Sequence, residues 1–161
     1  MIILVMGVSG SGKTTVGKLL ADSLDWEFRD ADDFHSLRNV EKMRHGIPLT
    51  EADRIPWLHN LQTALKRWLH ENRNVILACS ALKNSYRQLL LIDHDRIKLV
   101  YLKGSYSLIQ KRLQERTNHY MPAQLLESQF DALEEPLEAL IVGIEQPPQM
   151  IVQTIRSALK I

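Results

Sequence analysis

The sequence predicts an α/β fold, in which a five-stranded parallel sheet carries helices on both faces. Two observations lead to this prediction. Short apolar runs alternate along the chain with segments whose apolar residues recur at helical spacing. The first run passes directly into a glycine-rich loop, and its unbroken apolar character is typical of a strand buried on both faces. The 161 residues fit one domain, 1–161, with no internal repeat or linker to divide it.

The strands are expected where apolar runs are short and bounded by turn residues. These runs cover residues 2–6, 26–29, 75–79, 97–102 and 140–144. A further run, 89–93, resembles a strand that ends in an acid, Asp93. The next strand begins too soon after it, because neighbouring parallel strands need a crossover of a dozen or more residues. We therefore assign this run to the end of a helix and place Asp93 in a surface turn.

The helices are expected between these strands. The first, 13–24, places Val16, Leu20 and Leu24 on one face. A polar loop covers residues 30–36. Thr50 and Asp53 have the spacing of a capping box and predict the start of a long helix that runs to about residue 72. The remaining helices are predicted at 38–45, 83–91, 106–114, 122–133 and 148–160.

Composition and charge exclude several classes of protein. Twenty Lys and Arg residues balance nineteen Asp and Glu residues, and the net charge of +1 argues against bulk binding of nucleic acid or of anionic membranes. The single cysteine, Cys79, cannot form an internal disulfide, so nothing indicates secretion. The apolar runs are too short to span a membrane, and the first residues have no features of a signal peptide. We expect a cytoplasmic protein without nucleic-acid or membrane partners.

The loop after the first strand carries the strongest motif. It matches the phosphate-binding pattern G-x-x-x-x-G-K-[ST] in full. Its glycines let successive backbone N–H groups point inward, and the following helix directs its positive dipole end to the same place. Lys13 is expected to reach the β- and γ-phosphates, and Thr14 to offer its hydroxyl to Mg²⁺. The predicted nucleotide-binding residues are Gly7, Val8, Ser9, Gly10, Ser11, Gly12, Lys13 and Thr14.

Three classes of nucleotide-using protein are compatible with this loop: a small-molecule kinase, a GTPase switch, and an ATPase motor or assembly module. The guanine-reading N-K-x-D segment does not occur. The loop after strand two favours the kinase, because Asp30 and Asp32 are two residues apart and can face the phosphate loop. One can hold a Mg²⁺-bound water and the other can accept a hydroxyl proton. A solvated acidic turn with a helix cap is the alternative, and residue position alone leaves both open.

Basic residues follow strands two and three, and each alone is typical of a solvated surface. Together they favour an anionic acceptor, since Arg and Lys recognise carboxylate and phosphate. They are Arg38, Lys42, Arg54, Lys83 and Arg87. A second basic segment, 111–116, precedes a polar stretch and predicts a lid at approximately 115–123, whose arginines close on the phosphates. The alternative for this segment is an exposed basic helix end.

With these motifs in place, the chain resembles the gluconate kinases, which are shikimate-kinase-like P-loop enzymes. The resemblance runs nearly from end to end. It rests on MGVSGSGKTT at 6–15, DADDFH at 30–35, NVEKMRHGIPLTEADRIPWL at 39–58, CSALKNSYR at 79–87, YLKG at 101–104 and SQFDALEEP at 128–136. It implies a three-layer P-loop kinase fold with strand order 2-3-1-4-5, and ATP-dependent phosphorylation of D-gluconate to 6-phosphogluconate. A kinase of another small hydroxy acid or alcohol, or a non-catalytic nucleotide-binding module, are the alternatives.

The resemblance also implies roles for individual residues. ATP and Mg²⁺ would bind at 7–14, with Lys13 catalytic, Asp30 near the Mg²⁺ waters and Asp32 near the acceptor hydroxyl. Arg112 and Arg116 would lie on the lid side, Arg112 against the adenine and Arg116 with a catalytic role. The gluconate pocket would contain Asp32, His35, Lys42, Arg54, Lys83 and Arg87. The family resemblance further implies a homodimer.

Overall fold

Five parallel strands form one sheet in the order β2-β3-β1-β4-β5, which confirms the predicted fold and strand order. The computed structural model describes residues 1–116 and 123–161. The strands are β1 (Ile2–Met6), β2 (Glu27–Asp30), β3 (Val75–Ala78), β4 (Ile97–Lys103) and β5 (Leu140–Gly143). The helices are α1 (Lys13–Leu24), α2 (Leu37–Arg44), α3 (Glu51–His70), α4 (Asn84–Leu90), α5 (Tyr106–Glu115), α6 (Ala123–Ala132) and α7 (Pro148–Leu159). Within these two ranges, no helix combines the length and the apolar character needed to cross a bilayer.

The sheet separates two hydrophobic cores. Side chains of β1 alternate between them, so that Leu4 and Met6 pack on one side while Ile3 and Val5 pack on the other. Helices α3 and α4 cover the first side, and α1, α5, α6 and α7 cover the second. All five residues of β1 are completely buried, which explains why this strand reads as an unbroken apolar run.

The carboxyl edge of the sheet brings the predicted functional loops together. Ala78 at the end of β3 pairs in register with Val5 of β1 on one side and with Asp30 of β2 on the other. The loops that follow these three strands therefore leave the sheet next to one another. Ligands of open α/β sheets bind at this edge, beyond the carboxyl ends of the strands.

Most element boundaries agree with the sequence prediction to within one or two residues. The clearest difference is in the polar loop 30–36, where residues Ala31–Phe34 form one turn of 3₁₀ helix. The capping box at the start of α3 is confirmed, because Thr50 and Asp53 exchange side-chain and backbone hydrogen bonds. Asp93 lies in a turn and binds Arg96, as expected from the crossover argument.

Candidate active site

The phosphate-binding loop connects β1 to α1 and lines a cavity of about 630 Å³. Gly10 and Gly12 have φ angles of +83° and +98°, a region that L-amino acids other than glycine rarely adopt. A side chain at Gly10 would also meet Leu113 of α5, since its Cβ would lie 2.8 Å from the Leu113 Cγ. Backbone conformation thus requires glycine at both positions, and close packing against Leu113 adds a second requirement at Gly10.

Lys13, the first residue of α1, folds back across this loop. Its Nζ donates hydrogen bonds to the carbonyl oxygens of Gly7 and Val8, at 2.9 and 3.1 Å. Burial lowers the pKa of Lys13, and the nearby Asp32 and Asp30 carboxylates oppose that shift. The ammonium group is therefore held at the cavity near two carboxylates. This is the position expected for a cation that binds phosphate oxygens.

The turn after β2 presents its acidic residues in different ways. One oxygen of Asp30 accepts a hydrogen bond from the Asp32 N–H at 2.9 Å, so Asp30 caps the 3₁₀ turn. Both Asp30 and Asp32 line the phosphate-loop cavity, whereas Asp33 lines neither of the two cavities of the site. Desolvation, reinforced by the Asp30 carboxylate, raises the pKa of Asp32, although part of the side chain remains open to solvent. This turn therefore contains a helix cap, formed by Asp30, and part of the cavity wall, formed by Asp30 and Asp32.

A second cavity, of about 330 Å³, adjoins the first. Three residues line both: Ser9 of the phosphate loop, Asp32 and Ser80, which follows β3. Asp32 therefore lies where the two cavities meet. Of these three shared residues, Asp32 is the ionisable one.

The wall of the second cavity is cationic and aromatic. Three residues of the predicted acceptor pocket, His35, Arg54 and Lys83, line it together with Trp57 and Tyr86. Apolar residues also line the cavity, among them Met43, Ile47, Pro48 and Leu49. A site of this kind combines positive charge and hydrogen-bond donors with an apolar boundary, which suits a small polar anion.

Glu51, at the start of α3, organises the charges of this wall. Its Oε1 accepts from the Tyr86 hydroxyl at 2.6 Å and from Lys83 Nζ at 3.0 Å, and it lies 3.8 Å from Arg54 Nη1. These hydrogen bonds lower the pKa of Glu51 and raise that of Lys83. Glu51 thus places a carboxylate against the cations that are expected to bind the acceptor.

Two of the predicted pocket residues lie outside the cavity wall. Lys42 forms an ion pair with Asp53, 2.8 Å from its Oδ2, and this pair joins α2 to the start of α3. Arg87 is buried, with 3% exposure, and donates to three backbone carbonyls, those of Ala81, Leu82 and Glu134. Neither residue is among those that line the cavity. Both hold the segments that carry its wall, and their direct contact with the acceptor stays a prediction.

The two arginines at the end of α5 differ in their surroundings. Arg116 lines the phosphate-loop cavity. Its charge is a minor cause of the lowered pKa of Lys13, after burial. Arg112 donates to the backbone carbonyl of Ile144, directly after β5. The proposed lid, at approximately 115–123, falls largely outside the described residues, since 117–122 are not among them.

One residue that the sequence analysis did not single out joins the two halves of the site. Gln129 of α6 accepts from the Ser9 N–H at 2.7 Å and donates to the Ser9 Oγ at 3.0 Å. Gln129 also lines the second cavity. Because Ser9 and Gln129 are 120 residues apart, no local pattern reveals their contact. Ser80, Glu51 and Tyr86 were likewise missed as site residues.

The donors at the phosphate loop fit a nucleotide with Mg²⁺. Mg²⁺ usually takes one or two carboxylates, with phosphate oxygens and water completing its shell. The loop cavity offers the Thr14 hydroxyl and the Asp30 carboxylate, whose second oxygen is free of the cap. Among residues 1–116 and 123–161, no cluster of three or more His, Cys, Asp or Glu could hold a metal by itself. Cys79 is buried, and burial raises the pKa of its thiol to about 12, as expected for a packing residue.

Comparison with known proteins agrees with this geometry. The family model described as shikimate kinase matches residues 9–160. A probable gluconokinase of Mus musculus is 47% identical, in an alignment that covers 84% of this chain and 83% of that protein. A gluconokinase of Arabidopsis thaliana is 43% identical, covering 96% and 89%. The crystal structure of a gluconokinase from Sinorhizobium meliloti superposes with a TM-score of 0.85 at 40% identity, covering 98% and 90%. The chain therefore belongs to the gluconokinases of the shikimate kinase family.

Proposed function

We propose that this chain transfers the γ-phosphoryl group of ATP to the primary hydroxyl of D-gluconate, which yields ADP and 6-phospho-D-gluconate. One observation carries the proposal: the carboxylate of Asp32 lies where the phosphate-loop cavity meets a second cavity with a cationic wall. The gluconokinase names of relatives with 43–47% identity support the choice of acceptor.

The acceptor enters the second cavity. Its carboxylate is attracted to Arg54 and Lys83, and in binding there it competes with Glu51 for these cations. His35 and Tyr86 add hydrogen-bonding groups beside the carbon chain. The opposite end of the acceptor then points toward Asp32, which places the primary hydroxyl near the phosphate loop.

The transfer needs a base for the hydroxyl proton and a charge-stabilising environment for the phosphoryl group. Asp32 accepts the proton as the hydroxyl oxygen bonds to the γ-phosphorus and the bond to the ADP oxygen breaks. Because phosphoryl transfer is largely dissociative, this carboxylate also serves to orient the hydroxyl. Lys13, Arg116 and the N–H groups of residues 7–14 stabilise the phosphate charge. Thr14 and Asp30 would hold Mg²⁺, which when bound neutralises charge on the phosphates. Arg112 would lie against the adenine.

The test is ADP formation with a panel of acceptors. Gluconate, shikimate, gluconolactone, nucleoside monophosphates and water alone are each offered with Mg²⁺ and ATP. We expect turnover with gluconate well above that with any other acceptor, and loss of turnover in Lys13→Ala. Higher turnover with shikimate or another acceptor would identify that compound as the substrate in place of gluconate. No turnover with any acceptor would favour a non-catalytic nucleotide-binding module.

We also propose that the protein works as a homodimer in the cytoplasm, as the family resemblance implies. Light scattering coupled to size exclusion gives the mass in solution directly. A mass of about twice the 18.6 kDa chain supports the dimer, and a mass equal to one chain refutes it.

A further inference from the structure

Asn39 is a buried polar residue on α2, with 5% exposure. Its Nδ2 donates to the backbone carbonyl of Asp53 at 2.9 Å and lies 3.2 Å from Nδ1 of His35. A carbonyl oxygen can only accept, so the amide nitrogen of Asn39, and not its oxygen, must face Asp53. The second N–H of the same nitrogen then points at His35. It follows that the Nδ1 of His35 accepts a hydrogen bond and carries no proton.

The ring of His35 is held by its other contacts as well. It stacks on Trp57 with the ring centroids 4.4 Å apart and an interplanar angle of 12°. The indole N–H of Trp57 donates to the carbonyl of Ala31 at 2.7 Å, which ties this stack to the turn that carries Asp32. Within the described ranges, no group hydrogen-bonds to Nε2 of His35, and the residue lines the acceptor cavity.

The charged groups around His35 favour its neutral form on balance. Burial lowers the pKa of His35, and the charge of Arg54 on α3 lowers it further. The carboxylate of Asp53, also on α3, is engaged by Lys42 of α2. The turn that precedes His35 carries two further acidic residues, Asp32 and Asp33. Elsewhere in the cavity wall, Lys83 and Tyr86 both donate hydrogen bonds to the carboxylate of Glu51.

We infer that Asn39 is a positioning residue that holds His35 as the neutral Nε2–H tautomer, so that the cavity wall presents one fixed donor to a hydroxyl oxygen of the acceptor. This inference rests on the proposed function for the identity of the acceptor, a polyhydroxy acid. An N–H locked in direction selects for an acceptor that has an oxygen at that point of its chain, and a bare hydrocarbon there would leave the donor unpaired.

The tautomer can be measured without any catalytic assay. Long-range ¹H–¹⁵N correlation spectra of the unliganded, ¹⁵N-labelled protein distinguish a protonated from an unprotonated ring nitrogen, and the spectrum of His35→Gln assigns the signals. We expect a protonated Nε2 and an unprotonated Nδ1 at pH 7, with a titration midpoint below 6.5. A proton on Nδ1, or an imidazolium at pH 7, overturns the inference whatever the acceptor proves to be.

Asn39→Asp tests the positioning role, with Asn60→Asp on the exposed face of α3 as a control of equal charge change. A carboxylate facing Nδ1 stabilises the imidazolium, so the midpoint of His35 should rise by about one to three pH units. The KM for gluconate should then vary with pH between 6 and 8, while the KM for ATP stays within about threefold. An unmoved midpoint in folded Asn39→Asp refutes the contact.

A second pair of variants tests the donor and does not depend on how Asn39→Asp folds. The amide nitrogen of Gln reaches the position of Nε2, whereas that of Asn reaches only the position of Nδ1. We expect His35→Gln to keep the KM for gluconate within about threefold and His35→Asn to raise it by roughly tenfold, the worth of one hydrogen bond. Equal KM values for the two variants refute the donor role. If gluconate is no substrate at all, the proposed function fails, and the spectra still decide the tautomer.

Discussion

Replacing Asp32 by Asn is expected to lower kcat by about 100-fold or more and to stabilise the folded protein at neutral pH. The loss in rate is the lower end of what a positioned general base supplies, and it corresponds to about 2.7 kcal/mol of activation free energy. Asn keeps the size of the side chain and one acceptor oxygen, so the affinity for ATP should stay within a few-fold of that of the wild type.

The gain in stability follows from the surroundings of Asp32. Desolvation and the Asp30 carboxylate raise its pKa above the ordinary 3.8, and the attraction of Lys13 only partly offsets them. A carboxyl group whose pKa is higher in the folded than in the unfolded state destabilises the folded state wherever it is ionised. This penalty is full above the folded-state pKa and disappears below the unfolded-state value. The melting temperature of Asp32→Asn should therefore exceed that of the wild type at pH 7, and the difference should shrink toward pH 4.

The same shift predicts a pH profile. Since the reaction needs the carboxylate form, kcat/KM of the wild type should fall on the acid side at a pH above that of an ordinary aspartate, and this acid limb should be absent in Asp32→Asn. Measurements of ADP release, thermal unfolding and ATP titration on the same preparation cover all three expectations. Asp33→Asn is the matched control, because Asp33 lies in the same turn but lines neither cavity. Greater sensitivity at Asp33, or loss of ATP binding in Asp32→Asn, would refute the assignment.

Three further predictions concern other parts of the site. Lys13→Ala should lower kcat by about 100–1000-fold while the protein still folds, and near-normal turnover would refute the role of the phosphate loop. Arg54→Ala and Lys83→Ala should each raise the KM for gluconate more than that for ATP, and the reverse ranking would move these residues to the nucleotide side. Arg87→Met should lower the melting temperature by roughly 5–10 °C, because three backbone carbonyls lose a buried charged donor. An unchanged melting temperature would contradict the supporting position of Arg87.

The fold and the phosphate half of the site could be predicted because their determinants are local. The motif at 7–14 combines glycines with positive φ, a lysine and a hydroxyl within eight positions, directly after a strand that is buried on both faces. The capping box of α3 is equally local, since Thr50 and Asp53 are three residues apart. In such cases, the residues that make the contact are also the residues that make the pattern.

The acceptor half could be predicted only as a set of basic residues. Lys83 and Arg87 are four positions apart and carry the same charge, yet Lys83 lines the cavity while Arg87 is buried beneath it. Lys83 precedes α4 as its N-cap and has an extended backbone, so the helical spacing of four residues does not apply to this pair. The position of the Lys42 side chain depends on its ion pair with Asp53, which lies on another helix. The sequence leaves a cap and a catalytic group as alternatives for the turn after β2. Asp30 caps the turn and Asp32 lines both cavities, while the catalytic role of Asp32 stays a prediction.

Gln129 provides the last prediction, because it joins the acceptor wall to the phosphate loop. Its two hydrogen bonds to Ser9 hold the tip of the loop at the junction of the cavities. Two neutral hydrogen bonds are worth about 1–3 kcal/mol, and a loop displaced by their loss misaligns the donor and acceptor of the phosphoryl group. We expect Gln129→Ala to lower kcat by roughly tenfold or more, with smaller changes in both KM values. Gln124→Ala, on the exposed face of the same helix, should have no effect. Gln129→Ala could instead tighten ATP binding and leave kcat unchanged. In that case Gln129 competes with the phosphates for the Ser9 N–H, and it occupies this donor in the nucleotide-free loop without aligning the reacting groups.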